Sequence, residues 1–212
     1  MSIRLVLVDD HPIVLQGCRR VLEDAGISPV LAASDVVAGY RLYLRHRPDV
    51  AVIDLAIQGK GLGGLALVRR IKAHDRRAHI LVLSMHNDAT IVARSLEAGA
   101  SGYVLKDTAP EEFVRAVQRV AAGERFLSGD LAIEIALAGS GARPSPLAEL
   151  TPRELQVLAL LAEGKPYERI ADELGVSYKT VANTSSQLKQ KLNAGNLPEL
   201  VSTAVRLLAP QA

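Results

Sequence analysis

VAVID, at residues 50–54, is a short and continuously apolar run that ends in an acid. A run without alternation of polar and apolar residues is typical of a strand that is buried on both faces of a sheet. Segments with helical spacing flank it, at 36–46 before it and at 64–74 after it. A buried strand between amphipathic helices indicates an α/β fold with a parallel sheet.

The same alternation extends outward from this strand to both sides. Further strand-like runs lie at 3–8, 30–33, 80–83 and 102–105. Between and after them, the sequence predicts helices at 12–25, at 90–98 and from Pro110 onward. Residues 1–127 are therefore predicted to form an α/β domain with a five-stranded, doubly wound parallel sheet.

The second half of the chain has a different composition. Residues 128–146 are predicted to be a linker, because 138–146 are small, rich in Pro, Gly and Ser, and carry one charge. A short helix is expected at 130–138. Helical patterns follow at 152–162, 166–174, 178–192 and 197–208 without any strand-like run, so residues 147–212 are predicted to be a smaller all-α domain.

The overall composition excludes several classes of protein. Among 212 residues, 49% are hydrophobic and 23% charged, which is ordinary for a globular protein and excludes a disordered chain. No apolar run is long enough to cross a bilayer, and the N-terminus lacks the pattern of a signal peptide. One cysteine, Cys18, cannot form an internal disulfide, which fits a reducing compartment. We therefore expect a cytoplasmic protein without a membrane partner.

Charged and polar side chains follow several of the predicted strands. Asp9 and Asp10 follow the first strand, Asp54 ends the third, and Ser84 and Lys106 end the fourth and fifth. The carboxyl ends of parallel strands meet at one edge of the sheet, where ligands bind in such folds. Clustered carboxylates favour Mg²⁺, which also prefers phosphate as a ligand. The set suits a phosphoryl group carried on an aspartate, with Lys106 neutralising its oxygens.

The first 127 residues resemble the receiver domain of bacterial two-component response regulators. The resemblance rests on DDHP at 9–12, IDL at 53–55, VLSM at 82–85 and AGASGYVLK at 98–106. It implies a flavodoxin-like strand order. It also implies that Asp54 accepts a phosphoryl group from a sensor histidine kinase and that Lys106 holds this group.

The resemblance also implies a metal site and a switch. The implied ligands of Mg²⁺ are Asp10, Asp54 and the carbonyl of Ala56, with Asp9 acting through a metal-bound water. Ser84 and Tyr103 form the implied switch, in which Ser84 bonds the phosphoryl group and Tyr103 turns inward after it.

The second domain has the local pattern of a DNA-binding motif. TPRE at 151–154 predicts a helix that starts with a capping box, and GVS at 175–177 predicts a tight turn between two helices. The helix after this turn carries Lys179, Lys189 and Lys191 and no acid. Residues 147–212 as a whole carry seven basic and seven acidic side chains, so DNA binding must rest on this local placement.

Residues 147–208 resemble the LuxR-type helix-turn-helix domain, and the two domains together resemble the NarL/FixJ class of transcription regulators. The resemblance implies that 178–192 is the recognition helix for double-stranded promoter DNA and that 197–208 contributes to a homodimer, formed on phosphorylation or on DNA binding. The predicted DNA-binding residues are Ser177, Lys179, Thr180, Val181, Asn183, Thr184, Gln187 and Lys191.

Two segments depart from the patterns of these families. Gln58 stands where receivers usually have proline, in a glycine-rich loop at 58–64. In the recognition helix, Ala182 and Thr184 stand where the family usually has lysine and histidine. Asn183 between them has an amide that can bond an adenine edge bidentately.

Three functions are compatible with the sequence. The leading interpretation is a DNA-binding transcription regulator, not an enzyme, controlled by phosphorylation of Asp54. The alternative is a regulator that acts through protein–protein contact and binds DNA weakly or not at all. A Mg²⁺-dependent phosphatase is disfavoured, because Ala56 stands where such an enzyme would need a general acid.

Overall fold

Alternating strands and helices build the first part of the chain. The structure is a computed structural model, and it describes residues 3–57, 62–129, 131–132 and 145–208. The strands are β1 (Leu5–Val8), β2 (Val30–Ala33), β3 (Val50–Asp54), β4 (Ile80–Ser84), β5 (Gly102–Leu105) and β6 (Phe126–Leu127). The helices are α1 (Pro12–Asp24), α2 (Val36–His46), α3 (Gly63–His74), α4 (Ala89–Glu97) and α5 (Pro110–Ala121).

All six strands are parallel, in the order β2-β1-β3-β4-β5-β6. The side chains of β1, β3 and β4 are entirely buried, because two separate hydrophobic clusters cover the two faces of the sheet. The doubly wound parallel fold and the flavodoxin-like order of the first five strands are confirmed. The prediction of five strands missed β6, whose two residues pair with Gly102 and Tyr103 and are too few to show a strand pattern.

Local signals set the ends of the helices. Proline occupies the first turn of α1 and of α5, where its missing N–H costs nothing. The side chains of Asp35 and Asp88 accept backbone N–H groups at the starts of α2 and α4. These caps start each helix just beyond the carboxyl end of a strand, which leaves that edge of the sheet open to a site.

The second part of the described chain is helical, as predicted. After a 3₁₀ helix at Pro146–Glu149 come α6 (Pro152–Ala162), α7 (Tyr167–Leu174), α8 (Tyr178–Lys191) and α9 (Leu197–Leu208). Thr151 and Glu154 form the predicted capping box of α6. The predicted turn between α7 and α8 begins at Gly175, whose φ of 63° suits glycine. Residues 129, 131 and 132 are helical, in agreement with the start of the helix predicted at 130–138, and the rest of that helix and most of the predicted linker lie outside the described residues.

None of the helices in the described ranges is both long and apolar enough to cross a membrane.

Gly64 allows the chain after β3 to pass close to Asp54. Its backbone N–H donates to the carbonyl oxygen of Leu55 at 3.0 Å. A Cβ atom on Gly64 would lie 1.9 Å from the carbonyl oxygen of Asp54, which is far inside van der Waals contact. A residue with a side chain does not fit at position 64, so the close approach of the chain to Asp54 depends on glycine there.

We predict that Gly64→Ala lowers the free energy of unfolding of this domain by about 3 kcal/mol or more, because backbone atoms must move to admit the methyl group. Gly17→Ala is the matched control. Gly17 lies inside α1, and its added Cβ would meet no atom within 4 Å. That substitution should instead stabilise the domain by about 0.4–1 kcal/mol. Urea unfolding followed by circular dichroism measures both, and equal effects would contradict the close approach.

Candidate functional site

Three aspartates converge at the carboxyl ends of β1 and β3. Asp9 and Asp10 directly follow β1, and Asp54 is the last residue of β3. Asp9 and Asp54 are almost completely buried, at 0% and 1% exposed, whereas Asp10 is partly exposed. One ligand atom from each of these three residues and from His11 lies within 4.8 Å of the others. Two buried carboxylates at this distance repel each other unless a cation lies between them.

Lys106 supplies a positive charge to this cluster. Its Nζ lies 2.7 Å from Oδ2 of Asp9 and 2.9 Å from Oδ2 of Asp54. Burial disfavours the charged amine, but the two carboxylates outweigh burial and raise the pKa of Lys106. Burial also raises the pKa of Asp54, although the Lys106 ammonium acts in the opposite direction. The charged amine of Lys106 therefore bridges the two buried aspartates. Its position directly after β5 had predicted that it would lie at the same edge of the sheet as these carboxylates.

The donor set of this cluster fits a magnesium ion. Oδ1 of Asp54 is buried and has no hydrogen-bond partner among the described residues. The three aspartates offer carboxylate oxygens, the ligands that Mg²⁺ prefers, and the partial exposure of Asp10 leaves space for water molecules. Ala56 lies two residues after Asp54 and is partly exposed. This all-oxygen donor set therefore fits Mg²⁺.

His11 belongs to this cluster, although it is not among the site residues predicted from the sequence. Its Nδ1 lies 3.1 Å from Oδ1 of Asp9 and 2.9 Å from Oδ1 of Asp10. Its backbone N–H also donates to Oδ1 of Asp9 at 2.8 Å. The imidazole therefore helps to orient both carboxylates. Its place directly after the two aspartates was the only signal that could have identified it.

Ser84 and Tyr103 lie beside the cluster and both contact His86. Ser84, the last residue of β4, accepts the backbone N–H of His86 on its Oγ at 3.2 Å. The hydroxyl of Tyr103 donates to the carbonyl oxygen of His86 at 2.6 Å. Both side chains are fully buried, and burial raises the pKa of Tyr103. Tyr103 therefore already points inward in this conformation, although we expected it to do so only after phosphorylation.

The exposed face of α8 contains most of the predicted DNA-binding residues. Five of the eight predicted residues are exposed at the start of α8 or on its solvent-facing side: Ser177, Lys179, Thr180, Asn183 and Gln187. Ser177 also caps α8, because its Oγ accepts the backbone N–H of Thr180 at 3.1 Å.

Three other predicted DNA-binding residues point elsewhere. Val181 is buried in the hydrophobic core. Thr184 is also buried, and its hydroxyl donates to the carbonyl oxygen of Thr180 at 2.9 Å. Lys191 is paired with Glu154, with 2.8 Å between Nζ and Oε2, and this ion pair ties α8 to the start of α6. The side chains of Val181 and Thr184 therefore belong to the interior of the domain, and Lys191 has a partner within it.

Comparisons with known proteins agree with both parts of the structure. Residues 5–118 match the family described as "Response regulator receiver domain", and residues 148–204 match "Bacterial regulatory proteins, luxR family". The chain is 36% identical over 204 residues to the methanol utilization control regulatory protein MoxX of Paracoccus denitrificans, covering 96% of this chain and 92% of that one. It is 35% identical over 209 residues to the response regulator UvrY of Escherichia coli, covering 96% and 94%.

Solved structures show the same two-part architecture. The structure of RcsB from Salmonella typhimurium matches with a TM-score of 0.79 and 28% identity, over 98% of each chain. RcsB bound to promoter rprA in the presence of the phosphomimetic BeF3⁻ matches with a TM-score of 0.74 and 29% identity, over 97% of this chain and 99% of that one. The chain described here belongs to the two-component response regulators, with a receiver domain followed by a LuxR-type DNA-binding domain.

Proposed function

We propose that this response regulator controls transcription through a phosphoryl group on Asp54, which a sensor histidine kinase supplies. The observation that carries the proposal is the Lys106 ammonium held between Asp9 and Asp54 at the carboxyl edge of the sheet. This arrangement places a nucleophilic carboxylate, a fixed cation and the oxygen ligands of a metal at one point. A purely structural ion pair would not need the additional carboxylate of Asp10 beside it.

The reaction at Asp54 is an in-line displacement. A carboxylate oxygen of Asp54 attacks phosphorus while the bond from phosphorus to the donor histidine nitrogen breaks, and that nitrogen leaves with the electron pair. Lys106, 2.9 Å from Asp54, then holds an oxygen of the transferred group. Mg²⁺, held by Asp10, Asp54 and the carbonyl of Ala56, with Asp9 acting through water, would neutralise the remaining phosphoryl oxygens.

Ser84 is positioned to sense the new group. A phosphoryl group adds about −1.5 to −2 charges and strong hydrogen-bond acceptors at Asp54. The hydroxyl of Ser84 accepts the backbone N–H of His86 and can donate its own proton to the phosphoryl group at the same time. We expect the end of β4 to move toward Asp54, with buried Tyr103 following through its bond to His86.

The output is DNA binding through the exposed face of α8. Ser177 and Lys179 at the start of this helix face solvent and suit contacts to phosphates, whereas Asn183 and Gln187 suit contacts to base edges. We propose a homodimer as the binding form. Leu197, Val201 and Val205 follow one another at four-residue spacing along α9, and the first and last are 38% and 46% exposed. This apolar stripe suits pairing with a second copy.

We place the protein in the cytoplasm, where the sensor kinases of such regulators transfer their phosphoryl groups. We also propose that it has no catalytic turnover of its own beyond the reactions at Asp54, because the side chain of Ala56 cannot act as a general acid.

We predict that Asp54→Ala abolishes labelling of the protein by acetyl phosphate, because the only accepting carboxylate is lost. Chelation of Mg²⁺ should abolish labelling of the unchanged protein as well. Asp107→Ala is the matched control, since Asp107 is an exposed aspartate next to Lys106 in the chain. Phosphate-affinity electrophoresis measures the labelled fraction. Continued labelling of the Asp54 variant would show that another residue accepts the group.

We predict opposite effects for two neighbouring substitutions in α8. Ala182→Lys should steepen the dependence of log affinity on log salt by about one unit, because one more phosphate is neutralised, and it should do so on all DNA sequences alike. Asn183→Ala should cost about 1–3 kcal/mol at one position of the preferred site and little on random DNA. Fluorescence anisotropy with full-length protein measures both effects.

The same titrations test the alternative of protein–protein contact. The unchanged protein should bind duplex DNA at low salt, and this binding should weaken as salt is added. If neither the unchanged protein nor Ala182→Lys binds any duplex, α8 does not enter a groove. The exposed face of α8 would then be better explained as a surface for another protein.

A further inference from the structure

The outward side of α2 and α3, with the loops that follow them, carries a concentrated positive charge. Between residues 36 and 79, the described part of the chain has seven exposed arginines and no exposed aspartate or glutamate. We call this set the arginine face, and its members are Arg41, Arg45, Arg47, Arg69, Arg70, Arg76 and Arg77. The whole chain, by contrast, has a formal net charge of only +2.

Two contacts between α2 and α3 make the arginine face one continuous surface. The guanidinium of Arg70 in α3 lies 4.1 Å from the centre of the Tyr40 ring in α2. Near the C-terminal ends of both helices, the hydroxyl of Tyr43 donates to Oδ2 of Asp75 at 2.8 Å. The two helices therefore present their arginines from a fixed framework.

The charge of the arginine face is not neutralised by acids of the same domain. None of its seven side chains forms an ion pair with a described residue. The two acids of this segment outside the phosphorylation site are partly buried and already engaged. Oδ1 of Asp49 lies 3.2 Å from Arg4, and Asp75 accepts both the hydroxyl of Tyr43 and the backbone N–H of Arg77. The positive charge is therefore available to an external partner.

Stabilisation of the helix ends does not account for this surface. Cations at the C-terminal end of a helix interact favourably with the helix dipole. Arg45 and Arg47 hold such positions in α2, whereas Arg41, Arg69 and Arg70 lie before the last turn of their helices. All seven cations are arginines, whose planar guanidinium can bond two oxygens of one phosphate. The arginine face thus has the chemistry of a surface for phosphate groups.

The arginine face continues to the DNA-binding domain. Burial lowers the pKa of Arg94 in α4, and the nearby positive charge of Arg69 lowers it further. The guanidinium of Arg94 donates to the carbonyl oxygen of Leu147 at 2.9 Å. In the same 3₁₀ helix, the carbonyl oxygen of Glu149 accepts Nζ of Lys191, the last residue of α8, at 3.1 Å. The arginine face and the C-terminal end of α8 therefore adjoin the same short segment.

We propose that the arginine face binds the phosphate backbone of the duplex DNA that flanks the site contacted by α8. This inference rests on the proposed function, in which α8 binds DNA. The backbone continues past a recognition helix as a regular array of negative charges. Contacts to phosphates position a protein without reading bases, so this face strengthens binding to any flanking sequence. An acidic protein surface is the less suitable partner, because the face adjoins the domain that holds the DNA.

The salt dependence of binding to two random-sequence duplexes tests this in the full-length protein. The short duplex has about 20 base pairs, enough for two half-sites one helical turn apart, and the long one has about 20 more on each side. The test variant combines Arg41→Gln, Arg69→Gln and Arg76→Gln. On the long duplex, its slope of log affinity against log salt should be shallower by about 2.7 per bound protomer, at about 0.9 for each lost phosphate contact. On the short duplex the slope should not change.

The matched control removes the same net charge from the other side of the sheet. It combines Arg19→Gln in α1, Arg115→Gln in α5 and Arg125→Gln in the loop after α5, and all three side chains are exposed. Helices α1 and α5 cover the sheet face opposite to α2 and α3. The control should therefore keep the slope of the unchanged protein on both duplexes. Fluorescence anisotropy measures all slopes.

Equal slopes of the two triple variants on the long duplex would overturn the proposal, and the arginine face would then be better assigned to an acidic surface of another protein. Should the test variant fail to fold, Arg69→Gln alone should make the slope shallower by about 0.9 per bound protomer, and an unchanged slope would again overturn the proposal.

Lys179→Ala in α8 separates this proposal from the proposed function. Because Lys179 is exposed at the start of the recognition helix, its loss should lower the slope on both duplexes. If Lys179→Ala has no effect on either duplex while the arginine variant still lowers the slope on the long one, the role of α8 is contradicted and the arginine face is supported.

Discussion

The ammonium group of Lys106 lies between two buried carboxylates, and the rest of the structure depends on this contact. Asp9 and Asp54 are both shielded from water, so neither could remain ionised there without a nearby cation. Three strands of the parallel sheet, β1, β3 and β5, bring these residues from distant parts of the sequence to one edge. Any group that takes over the pairing with Lys106 changes the electrostatic balance of that whole edge. A phosphoryl group on Asp54 would do so.

This edge communicates with the rest of the molecule through β4. Ser84 ends that strand beside the carboxylates, and the next residues lead to His86 and then to α4. Both His86 and Arg94 contact the second domain, one at the end of α9 and the other before α6. A small displacement at Ser84 therefore acts on an interface between two packed domains, which can adopt discrete arrangements.

The sequence predicted the fold better than it predicted the contacts between domains. The buried strands could be predicted because their apolar runs are uninterrupted, and the residues at their ends then had to meet at one edge. In α8, helical spacing alone did not distinguish the buried Thr184 from the exposed Asn183 beside it, because both are polar. The contacts of His86 and Arg94 could not be predicted at all, since they join residues 122 and 53 positions apart through the relative placement of two domains.

We propose that the carboxylate edge of the receiver controls binding of DNA by the helical domain. Selection of genomic fragments by the full-length protein, with Mg²⁺ present and with or without acetyl phosphate, tests it most directly. If this edge controls DNA binding, one sequence motif is enriched and acetyl phosphate increases its enrichment. Recovery of the same fragments without any motif in both conditions would contradict control of DNA binding by this edge.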